Sequence, residues 1–72
     1  MNSPYENLAN AIIVKAADDY RKALKDLKRN RSYGPALQMK SECERFFHSD
    51  WFSALTTVDG NRLMGMLRAE VA

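Results

Sequence analysis

The chain has 72 residues, of which 46% are hydrophobic and 28% charged, and its formal net charge is +2 at pH 7. This length allows one domain, because a separate hydrophobic core needs roughly 50 residues, and the composition is too apolar for a disordered tail. The small net charge argues against a protein built mainly to neutralise phosphate. Cys43 is the single cysteine, which excludes an internal disulfide and a cysteine-based zinc cluster, so packing must stabilise the fold.

The sequence also bears on location and cofactors. The first residues lack the basic stretch and apolar block of a secretion signal, and no apolar run approaches the roughly 20 residues that span a bilayer. No glycine-rich phosphate loop or nucleophile elbow is present. We therefore expect a cytoplasmic protein with no membrane partner and no cofactor.

Helical periodicity runs through the chain, and no strand-like alternation is found. The predicted elements are helices over 4–28, 35–47, 50–55 and 60–71, with a loop over 29–34. Ser3 and Pro4 form the start of the first helix, Ser49 or Asp50 caps the third, and Asp59 caps the last. The sequence therefore predicts an all-α fold, a small helical bundle with one long N-terminal helix and two to three shorter helices.

The spacing of apolar residues predicts the core. The inward stripe of the first helix is Tyr5, Ala9, Ile12, Ile13, Ala16, Tyr20, Ala23, Leu24 and Leu27, and that of the second is Ala36, Met39, Cys43, Phe46 and Phe47. Four aromatic residues, Phe46, Phe47, Trp51 and Phe52, fall at one corner and should form the centre of the core. Two adjacent pairs cannot all point inward, so we expect one ring, Trp51 or Phe52, to be exposed and to bind a partner.

Few residues are candidates for catalysis. Cys43 and His48 are five residues apart, which separates them by about 140° on a helix and argues against a thiolate-imidazole dyad. Glu44 and His48 share a helix face, but two ligands are too few for a tight metal site, and a surface pair is expected. Asp50 and Asp59 precede helices and are expected to cap them. We therefore expect a non-enzymatic protein with no metal site.

A basic stripe lies at the end of the first helix. It consists of Arg21, Lys22, Lys25, Lys28, Arg29 and Arg31. The helical members fall within about 120°, so the stripe could lie along the phosphate backbone of a nucleic acid or along an acidic partner. In the first case the chain would be a small nucleic-acid-binding regulator, which is the alternative to a protein-binding function. The alternative for the stripe is a solvated helix face in which Asp18 pairs with Lys22.

The N-terminal half of the first helix is apolar nearly all round, because Leu8, Ala11 and Val14 lie off the main stripe. Such a helix is usually buried on more than one side, and the short helices that follow can hardly enclose it. We expect a homo-oligomer that associates through Leu8, Ala11, Ile12 and Lys15. The alternatives are that the C-terminal helices wrap both flanks or that a different protein docks on this surface.

Three blocks of sequence carry a resemblance. They are the 19–24 segment, the aromatic block over 44–52, and the Leu55-Thr56 and Asp59-Gly60 pairs before the closing helix. Over about residues 10–71 this pattern resembles short helical proteins encoded by phages and prophages of low-GC Gram-positive bacteria. The chain departs from that pattern at His48, where a residue such as Arg is expected, and in its methionine-rich end. The resemblance implies a phage accessory protein that binds a host or phage protein in the bacterial cytoplasm, for example to inhibit a host defence protein.

Overall fold

The structure is a computed structural model that describes residues 3–72, and its regular elements over that range are helices throughout. They are α1 (Pro4–Arg29), α2 (Gly34–Phe47), α3 (Asp50–Leu55) and α4 (Gly60–Val71). The predicted all-α bundle is confirmed, with three helices shorter than the first. Each predicted boundary agrees with the observed one to within a residue, and the loop between α1 and α2 is correspondingly short, covering 30–33.

Local capping explains where the helices begin. The Ser3 hydroxyl accepts a hydrogen bond of 3.2 Å from the Glu6 amide. The Asp59 carboxylate accepts one of 3.1 Å from the Asn61 amide. The Ser49 hydroxyl accepts a bond of 3.1 Å from the third amide after it, so Ser49 caps α3 and Asp50 lies in its first turn. Each cap satisfies an amide that has no partner within its helix.

α2 runs antiparallel to α1, and α4, which follows the short corner, runs parallel to α1. The Cys43 thiol lies 3.7 Å from the Ala16 carbonyl, so α2 runs back along α1 after the loop. The last turn of α4 returns to the far end of α1, where Lys28 Nζ donates to the Val71 carbonyl at 3.2 Å. The molecule measures 41 × 21 × 19 Å. At 1.5 Å per residue the 26-residue α1 is about 39 Å long and therefore spans the longest dimension.

The core joins all four helices. Its buried cluster is Ala17, Tyr20, Cys43, Phe47, Phe52, Met64 and Leu67, with Phe46 packed against it. The rings of Tyr20 and Phe47 meet edge to face with centroids 5.7 Å apart. The predicted aromatic centre is confirmed, because Phe47 and Phe52 are buried and Phe46 is partly buried beside them.

Two residues predicted to be inward are exposed. Tyr5 is 85% exposed, because the six-residue α3 covers little of the first turns of α1. Met39 is also exposed. The face of α2 that meets α1 is centred on Ala36, Cys43 and Phe47, and helical geometry places Met39 about 60° to one side of it.

Gly60 allows the start of α4 to pack on the end of α2. A Cβ atom at this position would overlap the Phe47 carbonyl oxygen and lie 3.0 Å from its carbonyl carbon. No glycine among residues 3–72 has a positive φ, so the requirement at Gly60 is for space. Gly65 has no atom within 4 Å of such a Cβ, so it is not a point of close helix packing.

Candidate functional site

The candidate catalytic residues Cys43 and His48 have separate partners. The Cys43 thiol is buried against the Ala16 carbonyl, and burial raises its pKa, which suppresses the reactive thiolate. His48 Nε2 lies 2.6 Å from Asn61 Oδ1 in the first turn of α4. The structure therefore does not bring the thiol and the imidazole together.

The prediction that Glu44 pairs with His48 is wrong. Glu44 Oε2 accepts a hydrogen bond of 2.7 Å from the Tyr20 hydroxyl and lies 2.9 Å from Lys40 Nζ. The physical reason is that Tyr20 is fully buried, and a buried hydroxyl needs an acceptor. Burial raises the pKa of Tyr20 to about 12, and the bond to Glu44 adds to the effect. Burial also raises the pKa of Glu44, but the bonds from Lys40 and Tyr20 outweigh it and hold that pKa below its usual value.

The other acidic candidates are at helix ends. Asp59 caps α4 as predicted. The prediction that Asp50 caps α3 is wrong, because the Ser49 hydroxyl takes that role and Asp50 is exposed in the first turn of the helix. In the part of the chain that the structure describes, His, Cys, Asp and Glu side chains do not gather in groups of three or more that could hold a metal ion.

An apolar groove lies between the first turns of α1 and α3, and we call it the α1–α3 groove. It has a volume of about 470 Å³ and is lined by Tyr5, Glu6, Leu8, Ala9, Ile12, Trp51, Ala54 and Leu55. Trp51 is 59% exposed, and its ring packs edge-on against Phe46 with centroids 5.5 Å apart. The groove therefore brings together three of the predicted partner-binding residues, Leu8, Ile12 and Trp51.

Phe52 does not belong to this surface, so its prediction as a partner-binding residue is wrong. Its side chain is 1% exposed and packs against Phe46 and Phe47 with ring centroids 5.6 and 5.5 Å away. Adjacent residues of a helix point about 100° apart, so one ring of the Trp51 and Phe52 pair faces the core while the other faces outward. Trp51 is the exposed ring.

The outer face of α1 is open to solvent. Leu8 is 60% exposed, and Ala11 and Val14 are exposed beside it, so the C-terminal helices do not wrap both flanks. Lys15 pairs with Asp19 at 3.3 Å and keeps most of its side chain in solvent. The predicted self-association surface is therefore accessible, and self-association itself stays a prediction.

Two members of the basic stripe are bound within the chain. Arg21 Nε lies 2.6 Å from Glu70 on α4, and its Nη1 lies 2.9 Å from Asp18. Lys28 Nζ donates to the Val71 carbonyl. The hydrogen bond from Arg21 lowers the pKa of Glu70. The prediction that Asp18 pairs with Lys22 is wrong, because Arg21 reaches Asp18 from the side of the helix that faces α4.

The other four basic residues form what we call the free basic row. They are Lys22, Lys25, Arg29 and Arg31, all exposed and all without an ion pair to any residue from 3 to 72. Tyr33 is half exposed next to this row and was not among the predicted site residues. The sequence signal was present, since an aromatic residue follows Arg31 in the loop.

No protein-family model, curated protein or solved structure matches this chain. The similarity to phage proteins therefore stays an expectation from the sequence pattern. None of the helices over residues 3–72 combines the length and the apolar character that crossing a membrane requires.

Proposed function

We propose that this chain is a non-enzymatic binding module that docks on another protein through the α1–α3 groove. The observation that carries the proposal is the exposed Trp51 ring, fixed edge-on against Phe46 at the side of an apolar groove. An aromatic side chain that is already held in place loses little entropy on binding, and tryptophan is enriched among the residues that dominate interface energies.

The lining of the groove supports a protein partner over a small molecule. Glu6 is the one charged residue among the described residues that line it. Small-molecule sites usually combine an apolar cavity with several convergent polar groups. A groove formed by two helix ends instead suits an apolar helix face or an apolar extended segment.

The size of the exposed surface fits an interface centre. The exposed fractions of Tyr5 and Trp51 correspond to roughly 300 Å² of aromatic surface. A stable interface buries about 800 Å² on each partner. Leu8, Ala11 and Val14 continue the apolar surface around α1, so the groove would form the centre and this outer face the rim.

The partner class comes from the sequence resemblance. A phage accessory protein acts on a host or phage protein in the bacterial cytoplasm. The most specific form of the proposal is that this chain inhibits a host defence protein. We also propose that, in the absence of the partner, the chain is a homodimer that associates through Leu8, Ala11, Ile12 and Lys15. Because Leu8 and Ile12 also line the α1–α3 groove, the partner and a second copy of the chain would compete for this surface. The exposure of Leu8 and Ala11 supports this, because paired helices would remove both from water.

The experiment compares two exposed apolar residues. The chain is used to isolate a partner from a bacterial host lysate, and the identified partner is then titrated with the purified wild type, Trp51→Ala and Val58→Ala. Val58 is exposed but lies outside the groove, so it is the matched control. We expect Trp51→Ala to weaken binding roughly 30-fold or more and Val58→Ala to leave it within about twofold. Equal affinities for the two variants would exclude the groove as the binding site.

Two further measurements test the finer statements. Sedimentation of the wild type and Ala11→Glu measures self-association, and a wild-type mass equal to one chain at every concentration would contradict the homodimer. Expression in a phage-challenged Gram-positive host tests defence inhibition. We expect the wild type to restore plaque formation on a defended strain and Trp51→Ala to fail, whereas Val58→Ala should behave as the wild type.

A further inference from the structure

We infer that a second surface, the cleft between the end of α1 and the start of α2, binds single-stranded nucleic acid. This cleft has a volume of about 350 Å³ and is lined by Lys22, Asp26, Arg29, Asn30 and Tyr33. A neighbouring cavity of about 230 Å³ shares three of these residues. Neither overlaps the α1–α3 groove, so the inference does not depend on the proposed function.

Two members of the free basic row, Lys22 and Arg29, line the cleft, and Lys25 and Arg31 belong to the same row outside it. Lys22, Lys25 and Arg29 follow one another at three- and four-residue steps, so they rise about 4.5 and 6 Å along α1 and share a face about 60° wide. Arg31 extends the row into the loop. None of the four makes an ion pair within residues 3–72, although the charge of Lys25 also acts on the nearby Glu70 carboxylate and helps to lower its pKa. The charges of the row can therefore meet successive phosphates of a strand.

Tyr33 supplies a surface for base stacking. Its side chain is 45% exposed, and its backbone is fixed on both sides. The Tyr33 amide donates to the Asn30 carbonyl at 3.1 Å, and the Tyr33 carbonyl accepts from the Leu37 amide at 3.1 Å. An exposed aromatic ring beside a track of cations is the combination with which proteins bind single strands without strong sequence preference.

Asp26 favours a base over a phosphate inside the cleft. Asp26 lines the cleft together with Lys22 and Arg29. A carboxylate repels phosphate but accepts a hydrogen bond from an N–H group on a base edge. The cleft therefore suits a base stacked on Tyr33, with the phosphates held outside it by the basic row.

This arrangement favours a single strand over a duplex or an acidic peptide. In a duplex the bases are stacked on one another, so the Tyr33 ring would have no base to contact. Duplex readers place a helix or a strand pair in a groove, whereas here the cleft lies between two packed helices. An acidic peptide would meet the Asp26 carboxylate at the cleft and would leave the exposed ring of Tyr33 without a role.

The test measures binding of a fluorescent 12-nucleotide thymidine oligomer by anisotropy. The wild type should bind it more tightly than the matched duplex or a glutamate-rich peptide. The slope of log K against log salt concentration should be about −2 to −3, which corresponds to three or four phosphate contacts. Failure to bind the oligomer, or tighter binding of the duplex or the peptide, would overturn the inference.

Matched variants locate the site. Lys22→Gln with Arg29→Gln should weaken binding and flatten the salt slope, because both residues line the cleft. Arg45→Gln with Arg62→Gln removes the same charge from exposed positions elsewhere and should leave both unchanged. An equal effect of the two double variants would show that only net charge matters and would overturn the inference.

The ring of Tyr33 is tested separately. Tyr33→Ala should weaken binding roughly 5- to 150-fold, and Tyr33→Phe should retain it, because stacking needs the ring and not the hydroxyl. Wild-type affinity in Tyr33→Ala would overturn the inference. Trp51→Ala should bind the oligomer as tightly as the wild type, which separates this surface from the α1–α3 groove. Circular dichroism checks that each variant is folded.

Discussion

Substitution of Gly60 by alanine should destabilise the fold, because the first turn of α4 lies directly on the last turn of α2. The added Cβ would overlap the Phe47 carbonyl oxygen and sit 3.5 Å from the Phe47 Cβ. Phe47 is buried, so its backbone cannot move away without disturbing the aromatic core. The cheapest relief is a shift of α4 by about an ångström, which also loosens its contacts with α1.

The change in stability depends on two opposing effects of the added methyl group, which are overpacking and a smaller loss of backbone entropy on folding. Overpacking in a well-packed region costs about 1–3 kcal/mol, and a domain of this length has a total stability of roughly 4–11 kcal/mol. Gly65→Ala is the matched control, because a Cβ there meets no atom within 4 Å. That substitution should stabilise the protein by about 0.5–1 kcal/mol, since alanine in a helix interior loses less backbone entropy on folding.

Urea denaturation measures the free energy of unfolding of both variants, and thermal denaturation measures their Tm, each followed by circular dichroism. For a domain of this size each kcal/mol corresponds to about 4–8 °C in Tm, so Gly60→Ala should melt several degrees below the wild type and Gly65→Ala a few degrees above it. The m-values should stay equal if only the native packing changes. A Gly60→Ala variant as stable as Gly65→Ala would refute the close approach of α4 to Phe47.

Four further predictions concern the core. Phe52→Ala should cost about 3–5 kcal/mol in urea denaturation, whereas Trp51→Ala should cost about 1 kcal/mol or less, and equal losses would contradict the opposite orientations of the two rings. Because the pKa of Tyr20 rises from 10.0 to about 12 on folding, stability is full below pH 10 and should fall by about 2–3 kcal/mol as the pH rises through 12. Because the pKa of Glu44 is lowered, its contribution is full above about pH 4.5 and is lost as the pH falls further, so Glu44→Gln should reduce the acid loss in a denaturation series across pH. Cys43 should react with a thiol reagent only as fast as the protein opens, and rapid labelling of the native protein would contradict its burial.

The helices were predictable because their signals are local. The side chains of Ser3, Ser49 and Asp59 each bond to an amide within the next three residues, so the sequence around each contains the whole capping interaction. Between these caps the apolar spacing identifies one face of each helix. Burial of Tyr20 and Phe47 follows from that spacing, and both lie in the core.

The errors have tertiary causes. The prediction for Glu44 used the four-residue spacing to His48. Glu44 instead pairs with Lys40, four residues earlier on α2, and accepts from Tyr20, which lies 24 residues away on another helix. Arg21 likewise meets Glu70 across 49 residues. A helical wheel shows which residues share a face, but it does not give the direction in which a second helix returns, and that direction selects these partners.

The two surfaces have a common origin in the unequal lengths of the helices. The loop starts α2 at the C-terminal end of α1, and its 14 residues extend about 21 Å, so they cannot reach the first turns of the 26-residue α1. Those turns have only the six residues of α3 beside them, which leaves the α1–α3 groove open. At the opposite end α4 reaches α1 through Arg21 and Lys28, and it approaches from one side, so the remaining cations stay in solvent. One helix that is longer than its neighbours thus presents an apolar surface at one end and a basic surface at the other, each free to select a different class of partner.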